Sequence, residues 1–301
     1  MNSRPSSAPL GIILGTANLE QSYGSKGKKS KLTRGEAEKI LAELLLSDDG
    51  MIETSAGYGN AEKIIGEILG GQKFDKIITK IAPRDFVSAD NVIESVTKSL
   101  ENLGQSSIRT VMLHGGMSEA LANKETVQEG LHRLLEQKLV NNVGYSAYEE
   151  FEVIRIKESF PMLSEFQLPE NMADQRCINS ARILDMAQEG NNFQVRSIFL
   201  QGKLFFSVEE ALRNFPEIVP TIRKLEELAA QFDCEKLDIC LAYAKSIPWA
   251  HQLVVGVQSY KEYRAICETL QHHQFTVEYF GRGLDATSVD PRNWAKGLLD
   301  F

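Results

Sequence analysis

Eight short apolar runs, spaced along the chain and separated by longer segments of helical period, constrain the fold more than any other feature. The runs are Gly11–Ala17, Met51–Ser55, Lys76–Ile81, Thr110–His114, Val140–Tyr145, Leu163–Leu168, Gln194–Leu200 and Gln252–Val257. Strand and helix in strict alternation imply a parallel sheet wound with helices, and eight strands close such a sheet into a (β/α)8 TIM barrel, an α/β fold. A length of 301 residues allows either one large core or two. No Pro/Gly/Ser-rich linker and no shift of composition divides the chain, so residues 1–301 are expected to form one domain. Residues 277–301, with Pro291 and Trp294, are expected as a loop and short helix closing one end of the barrel.

Apolar residues at i, i+3 and i+4 predict the intervening helices: Thr33–Leu46, Ala61–Leu69, Ser88–Leu103, Lys124–Gln137, Ala147–Glu158, Ile178–Gln188, Pro216–Phe232, Lys236–Lys245 and Tyr260–Leu270. Thr33, with Glu36 three residues on, reads as a capping box. Ser88, Ser146 and Ser259 each stand before a helical pattern, where a side-chain oxygen can accept from a free backbone N–H.

Composition narrows the function. A net charge of -8 opposes attraction to phosphate backbones and argues against nucleic acid as a partner. The basic run Lys26–Lys31 lies among Gly and Ser without aromatics and reads as a solvated loop. No apolar stretch approaches the roughly 18 residues that cross a bilayer, and Met1–Pro9 has no leader-like apolar run, so a cytoplasmic protein without a membrane partner is expected. Cys177, Cys234, Cys240 and Cys267 show neither CxxC pairing nor histidines at ligand spacing; they read as buried thiols, and no metal is expected.

In barrel enzymes the chemistry sits at the carboxyl ends of the strands. Here those ends carry Thr16 and Asn18, Glu53 with Tyr58 just beyond, Lys80, His114, Tyr145 and Ser146, Gln167, Arg196 and Gln201, and the stretch Gly256–Ser259. A lysine that ends Ile77-Ile78-Thr79 must enter the barrel mouth, where an unpaired charge is costly; Glu53 on the adjacent strand is the candidate counter-charge. Taken singly, a strand-end Lys or His is more often a structural ion-pair member than a catalyst.

Their order along the chain is more specific. Glu53-Thr54-Ser55-Ala56-Gly57-Tyr58-Gly59-Asn60-Ala61-Glu62, with Ile65-Gly66 behind it, resembles the aldo-keto reductase signature, in which an acidic residue precedes a tyrosine by five positions and a YGxxE helix start follows. Lys80 matches that family's lysine at the end of strand three, and His114 its histidine at the end of strand four. Gly15-Thr16, Val143-Gly144-Tyr145-Ser146, Gln167 and Gly256-Val257-Gln258-Ser259 extend the similarity over nearly the whole barrel.

The resemblance implies an NAD(P)H-dependent reductase of a small-molecule carbonyl, working as a monomer or small homo-oligomer. It implies Tyr58 as proton donor, Lys80 as the cation that acidifies it, Glu53 as the holder of Lys80, and His114 as the residue that orients the carbonyl. A phenol titrates near ~10, and an ammonium about 4 Å away is worth up to ~4 kcal/mol at an effective dielectric of ~20, enough to lower that value by two or three units. The cofactor, NADP or NAD, would lie extended across the mouth without a GxGxxG fingerprint. Ser146 and Gln167 would hold its carboxamide, Gly15, Thr16, Ser197 and Gln201 would border it, and the Gly256–Ser259 loop, with Val257, would present N–H groups to phosphate. Taken alone, that loop reads equally as an ordinary capped helix start.

Four positions depart from the family pattern. Glutamate at 53 replaces aspartate and moves the carboxylate by about a bond length and a half. Arg196 stands where relatives place an aromatic ring against the nicotinamide, and a planar guanidinium can also stack on a ring. The run Arg196-Ser197-Ile198-Phe199-Leu200-Gln201-Gly202 resembles a branch associated with bacterial surface-sugar biosynthesis, which points to a sugar or nucleotide-sugar carbonyl. In the last helix, Glu262 and Ile266 occupy the places that normally meet the adenosine end. A carboxylate there repels a 2′-phosphate and accepts from a 2′-hydroxyl, while Lys261 and Arg264 offer charge to a phosphate, so NAD and NADP both stand as cofactors. Two other functions compete: a low-turnover cofactor-binding or regulatory relative, opposed by the intact Tyr58, Lys80 and His114, and a barrel hydrolase, for which Glu53 has no second strand-end acid.

Overall fold

The computed structural model describes residues 10–20, 31–272, 277 and 280–293. Eight parallel strands close on themselves in chain order: β1 Gly11–Gly15, β2 Met51–Glu53, β3 Ile77–Ile81, β4 Ile108–Leu113, β5 Val140–Ser146, β6 Glu165–Pro169, β7 Asn192–Arg196 and β8 Gln252–Val255. The β8–β1 pairing completes the ring, with Ile13 opposite Val254. The expected (β/α)8 barrel is therefore the observed fold.

Its helices are α1 Arg34–Leu46, α2 Ala61–Leu69, α3 Ala89–Leu103, α4 Met117–Ala122, α5 Lys124–Glu136, α6 Glu150–Ser159, α7 Ala181–Gln188, α8 Val208–Asn214, α9 Val219–Phe232, α10 Lys236–Ser246, α11 Tyr260–His272 and α12 Ala286–Val289. The side chains of Thr33, Ser88 and Ser259 cap their helices, accepting from the N–H groups of Glu36, Asn91 and Glu262; the capping box at Thr33 is only half made, because the Glu36 carboxylate turns to Lys39 and Tyr260 N instead. Ser146 does not cap. It ends β5, and α6 starts four residues later because Glu149 and Glu152 cap that helix reciprocally. Two helices, α4 and α8, were not predicted; both are too short to show a clear period. The seventh run leaves extended geometry at Ser197, where φ is 61°, and turns through left-handed Leu200, Gln201 and Gly202 instead of continuing as strand to Leu200.

Outward-facing strand residues such as Phe166, Phe193 and Val111 pack under the helices in one continuous core. Inside the barrel the filling divides in two. Ile13, Met51, Ile78, Met112 and Val254 form a separate apolar cluster on one side. On the other, Glu165, Asn192, Gln194 and Gln252 are joined by hydrogen bonds, and Gln167 joins them from above.

Of the expected closing segment, the described part packs on the loop that follows β6. Leu284 N donates to Ala173 O, and Phe280 meets Tyr243 edge to face. Arg176 ties Glu149, Asp174 and Asp290 together, and Arg292 pairs with Asp290 and approaches Glu149 and Glu152. Trp294 and most of the basic run Lys26–Lys31 fall outside the described residues; Lys31 pairs with Glu20 at 2.6 Å. Among the described residues no helix is long and apolar enough to cross a membrane. Cys177, Cys240 and Cys267 are buried thiols and Cys234 is half-buried.

Candidate active site

The carboxyl ends of the strands open on a cavity of about 520 Å³. β2 ends at Glu53, and the chain turns at once: Tyr58 N donates to Ser55 O and Gly57 N to Ser55 Oγ, which swings Tyr58 back over the strand end. Gly15 stands opposite Glu53 in the β1–β2 register; a Cβ there would crowd Val254 at 3.1 Å and meet Glu53 Oε2 at an ordinary contact distance of 3.6 Å. β3 brings Lys80 to the same level, and β4 is followed directly by His114.

These residues converge. Lys80 is in contact with Glu53 Oε1, its Nζ donates to Tyr58 OH at 3.0 Å, and Tyr58 OH lies 3.3 Å from Glu53 Oε1. All three are buried, with Tyr58 only 8% exposed. Burial, and then the charge of Arg196, pull Lys80 below the usual lysine range; the carboxylate of Glu53 opposes that pull. The His114 ring stands edge to face with Tyr58 at 6.1 Å between centroids. Burial, and then the charges of Lys80 and Arg196, push its pKa down to about 3. His114 is thus a neutral imidazole, with Nδ1 at 3.4 Å from Ser55 Oγ. Because Ser55 Oγ accepts from Gly57 N, its proton is free to face Nδ1, which leaves Nε2 as the protonated nitrogen. Ser55 thereby joins the constellation. Its mark in the sequence is its place two residues beyond Glu53.

Around this centre, Gly15, Ser146, Gln167, Arg196, Ser197, Gln201, Gly256, Val257 and Glu262 all border the cavity. Thr16 and Ser259 do not. Thr16 is buried beneath the rim with its hydroxyl on Glu53 O, and Ser259 caps α11. Asn18 has a part that was not anticipated: it borders the cavity, donates to Val257 O at 2.9 Å, and so ties the first loop to the last.

Arg196 is held by Ala147 O at 2.9 Å and lies over the Tyr148 ring at 4.4 Å. Among the described residues no carboxylate lies within 4 Å of its guanidinium. Glu262 accepts from Gln258 N at 2.8 Å, while Arg264 is committed to Glu43 and Glu268. Two cavity-bordering acceptors, Gln167 Oε1 and Asn18 Oδ1, are buried without a partner among the described residues. Buried orphan acceptors call for a donor from elsewhere, and a bound group with amide and hydroxyl protons would supply it.

A model of the aldo/keto reductase family matches residues 11–283. Three solved structures share the architecture. A thermostable aldo-keto reductase crystallised with the inhibitor epalrestat has a TM-score of 0.67 at 16% identity, covering 90% of this chain and 91% of that one. A Pseudomonas aeruginosa protein assigned to the aldo-keto reductases gives 0.62 at 18% identity, with 89% and 93% covered. An aldo-keto reductase from a Medee basin deep-sea metagenome library gives 0.60 at 18% identity, with 89% and 86% covered. A search of curated protein sequences finds no match.

Proposed function

This chain belongs to the aldo/keto reductase family, and from that premise we propose that it reduces a small-molecule carbonyl with a nicotinamide cofactor, Tyr58 giving the proton. The observation that carries the reading is the shared contact of Tyr58 OH with Lys80 Nζ at 3.0 Å and Glu53 Oε1 at 3.3 Å.

When bound, the reduced nicotinamide supplies a hydride to the carbonyl carbon. As negative charge develops on the carbonyl oxygen, Tyr58 releases its proton to that oxygen, and the resulting phenolate is balanced by Lys80. Glu53 holds Lys80 against that hydroxyl. His114, neutral and with Nε2–H free, donates to the same oxygen and fixes its direction. Gln167 Oε1 and Ser146 suit the carboxamide, and the open backbone at Gly256 suits phosphate. Asn18, through its orphan Oδ1, suits a ribose hydroxyl. Arg196 forms the wall on which the nicotinamide would rest.

Glu262 on the cavity border, with Arg264 engaged elsewhere, favours NADH over NADPH. Phe199 and Phe205 border the cavity and give an aromatic surface suited to a sugar or nucleotide-sugar carbonyl. Fluorescence titration with NADH and NADPH, followed by a screen of aldehydes and reducing sugars with the tighter cofactor, tests the proposal. Binding of neither nucleotide would overturn it. Binding without turnover of any carbonyl would leave a cofactor-binding relative instead of an enzyme.

A further inference from the structure

The polar half of the barrel interior has a direction. Both oxygens of Glu165, at the base of β6, receive donors: Oε2 from Asn192 Nδ2 at 2.8 Å and Gln194 Nε2 at 2.9 Å, and Oε1 from Arg109 Nη2 at 3.3 Å. A side-chain amide has one donating end and one accepting end. With its nitrogen turned to Glu165, Gln194 turns Oε1 to the layer above. Gln167 must therefore donate, and its Nε2 does so at 2.9 Å. Its Oε1 is then the polar atom left for the cavity, and it has no partner among the described residues. Reversing either amide alone would set two N–H donors or two oxygens against each other in a fully buried place, since Gln167 and Gln194 are both 0% exposed.

We propose that Glu165 is a positioning residue whose carboxylate, acting through Gln194, sets which end of the Gln167 amide faces the cavity and so makes that point an acceptor for a carboxamide N–H. The inference rests on the nicotinamide reading above for its ligand. The relay itself, Glu165 to Gln194 to Gln167, stands on the hydrogen-bond geometry alone.

Two nucleotides distinguish an acceptor from a donor at Gln167: NAD+, whose carboxamide carries the NH2, and its 3-acetylpyridine analogue, in which a methyl group replaces it. Wild type should bind NAD+ more tightly by about tenfold, the worth of one buried hydrogen bond, read by quenching of protein fluorescence. E165M, which removes the acceptor, should bring the two affinities near parity, and Q194M, which cuts the relay one step higher, should do the same. E165Q keeps an oxygen for Gln194 and should keep the preference. Q252M disturbs the same buried cluster off the relay, through the Asn192 contact at 3.0 Å, and should leave the ratio as in wild type.

An unchanged ratio in both E165M and Q194M, or an equal loss in Q252M, would overturn the relay. Neutron diffraction on deuterated wild-type crystals reads the same point without any ligand: the Gln194 deuterons should face Glu165 and one Gln167 deuteron should face Gln194. The opposite arrangement would overturn the relay. Failure of wild type to bind either nucleotide would count against the cofactor reading alone, with the neutron result still deciding the amide order.

Discussion

Thr16 donates twice to the carbonyl oxygen of Glu53, from its backbone N–H and from its hydroxyl, each at 3.0 Å. The end of β2 is clamped by this pair of bonds, so the Glu53 carboxylate cannot easily advance or retreat. Lys80 is in contact with that carboxylate, so the length of the glutamate side chain sets where Lys80 is held. Glu53→Asp should therefore lower kcat by about 10- to 100-fold, because the shorter acid leaves Lys80 poorly held and a misplacement of one ångström costs on that order. Turnover of one aldehyde by wild type, Glu53→Asp and Glu53→Gln measures it; a large gain in the aspartate variant would mean a degraded site.

Tyr58→Phe should remove most reductase activity while leaving NADH affinity within about twofold, since only the transferable proton is lost. Steady-state rates with fluorescence-derived dissociation constants separate the two effects. Wild-type turnover in this variant would remove Tyr58 from the mechanism.

His114, held near 3 by burial and two nearby cations, stays neutral across the working range. The pH profile of kcat/KM should then show no inflection from this residue near the ordinary histidine value of about 6.5. Its ring resonances, followed by NMR from pH 5 to 8, should not titrate. Because the native pKa is depressed, the corresponding stability is present above about pH 6.5 and is lost as pH falls from there toward 3.

Glu262→Gln should improve NADPH binding more than NADH binding, by removing a like charge from the place that would receive the 2′-phosphate. The amide still offers an oxygen to Gln258 N, so the loop should keep its shape. Equal changes for the two cofactors would show that Glu262 does not face the ribose.

Glu170, just past β6, is fully buried, and burial above all pushes its carboxyl up to about 8, with Tyr243 OH at 2.7 Å and Cys177 N at 3.0 Å as partners. Below about 4.5 both folded and unfolded forms are protonated. Between there and about 8 only the unfolded chain ionises, so stability declines as pH rises through that window, by at most about 5 kcal/mol. Glu170→Gln, which mimics the protonated acid, should raise the melting temperature at pH 8 and flatten its dependence on pH. An unchanged pH profile of melting would show that the acid is ionised in the folded protein.

The barrel and the central trio were legible because they rest on periodicity and on residue order. Eight runs appear in the alternation of apolar stretches; Lys80 and His114 fall at or just past the ends of the third and fourth, and Tyr58 in the turn that follows the second. What escaped was set by short-range backbone geometry or by partners distant in sequence. Ser146 looks like a cap because serine before a helical pattern usually is one; the competing Glu149–Glu152 pair moved the helix start downstream. Thr16 and Ser259 look like cavity residues because their neighbours are, but a side chain's direction at a turn depends on dihedrals that sequence spacing does not carry. The polar column from Gln167 to Gln252 gave no signal either, since Glu165 and Gln194 on separate strands show their partnership only once the sheet closes.

The charges that join the rim of the barrel mouth have a consequence for ionic strength. Asp174 and Asp290 are almost wholly shielded from water, and Arg176 nearly so. Dissolved ions screen exposed charges beyond about 8 Å at 0.15 M salt but reach shielded pairs far less. Exposed pairs such as Lys39 with Glu36 should fade as salt is added, whereas the junction of the loop after β6, the start of α6 and the segment around α12 should keep its shape. Any salt dependence of catalysis would then report on how charged ligands approach the mouth, and not on the mouth coming apart.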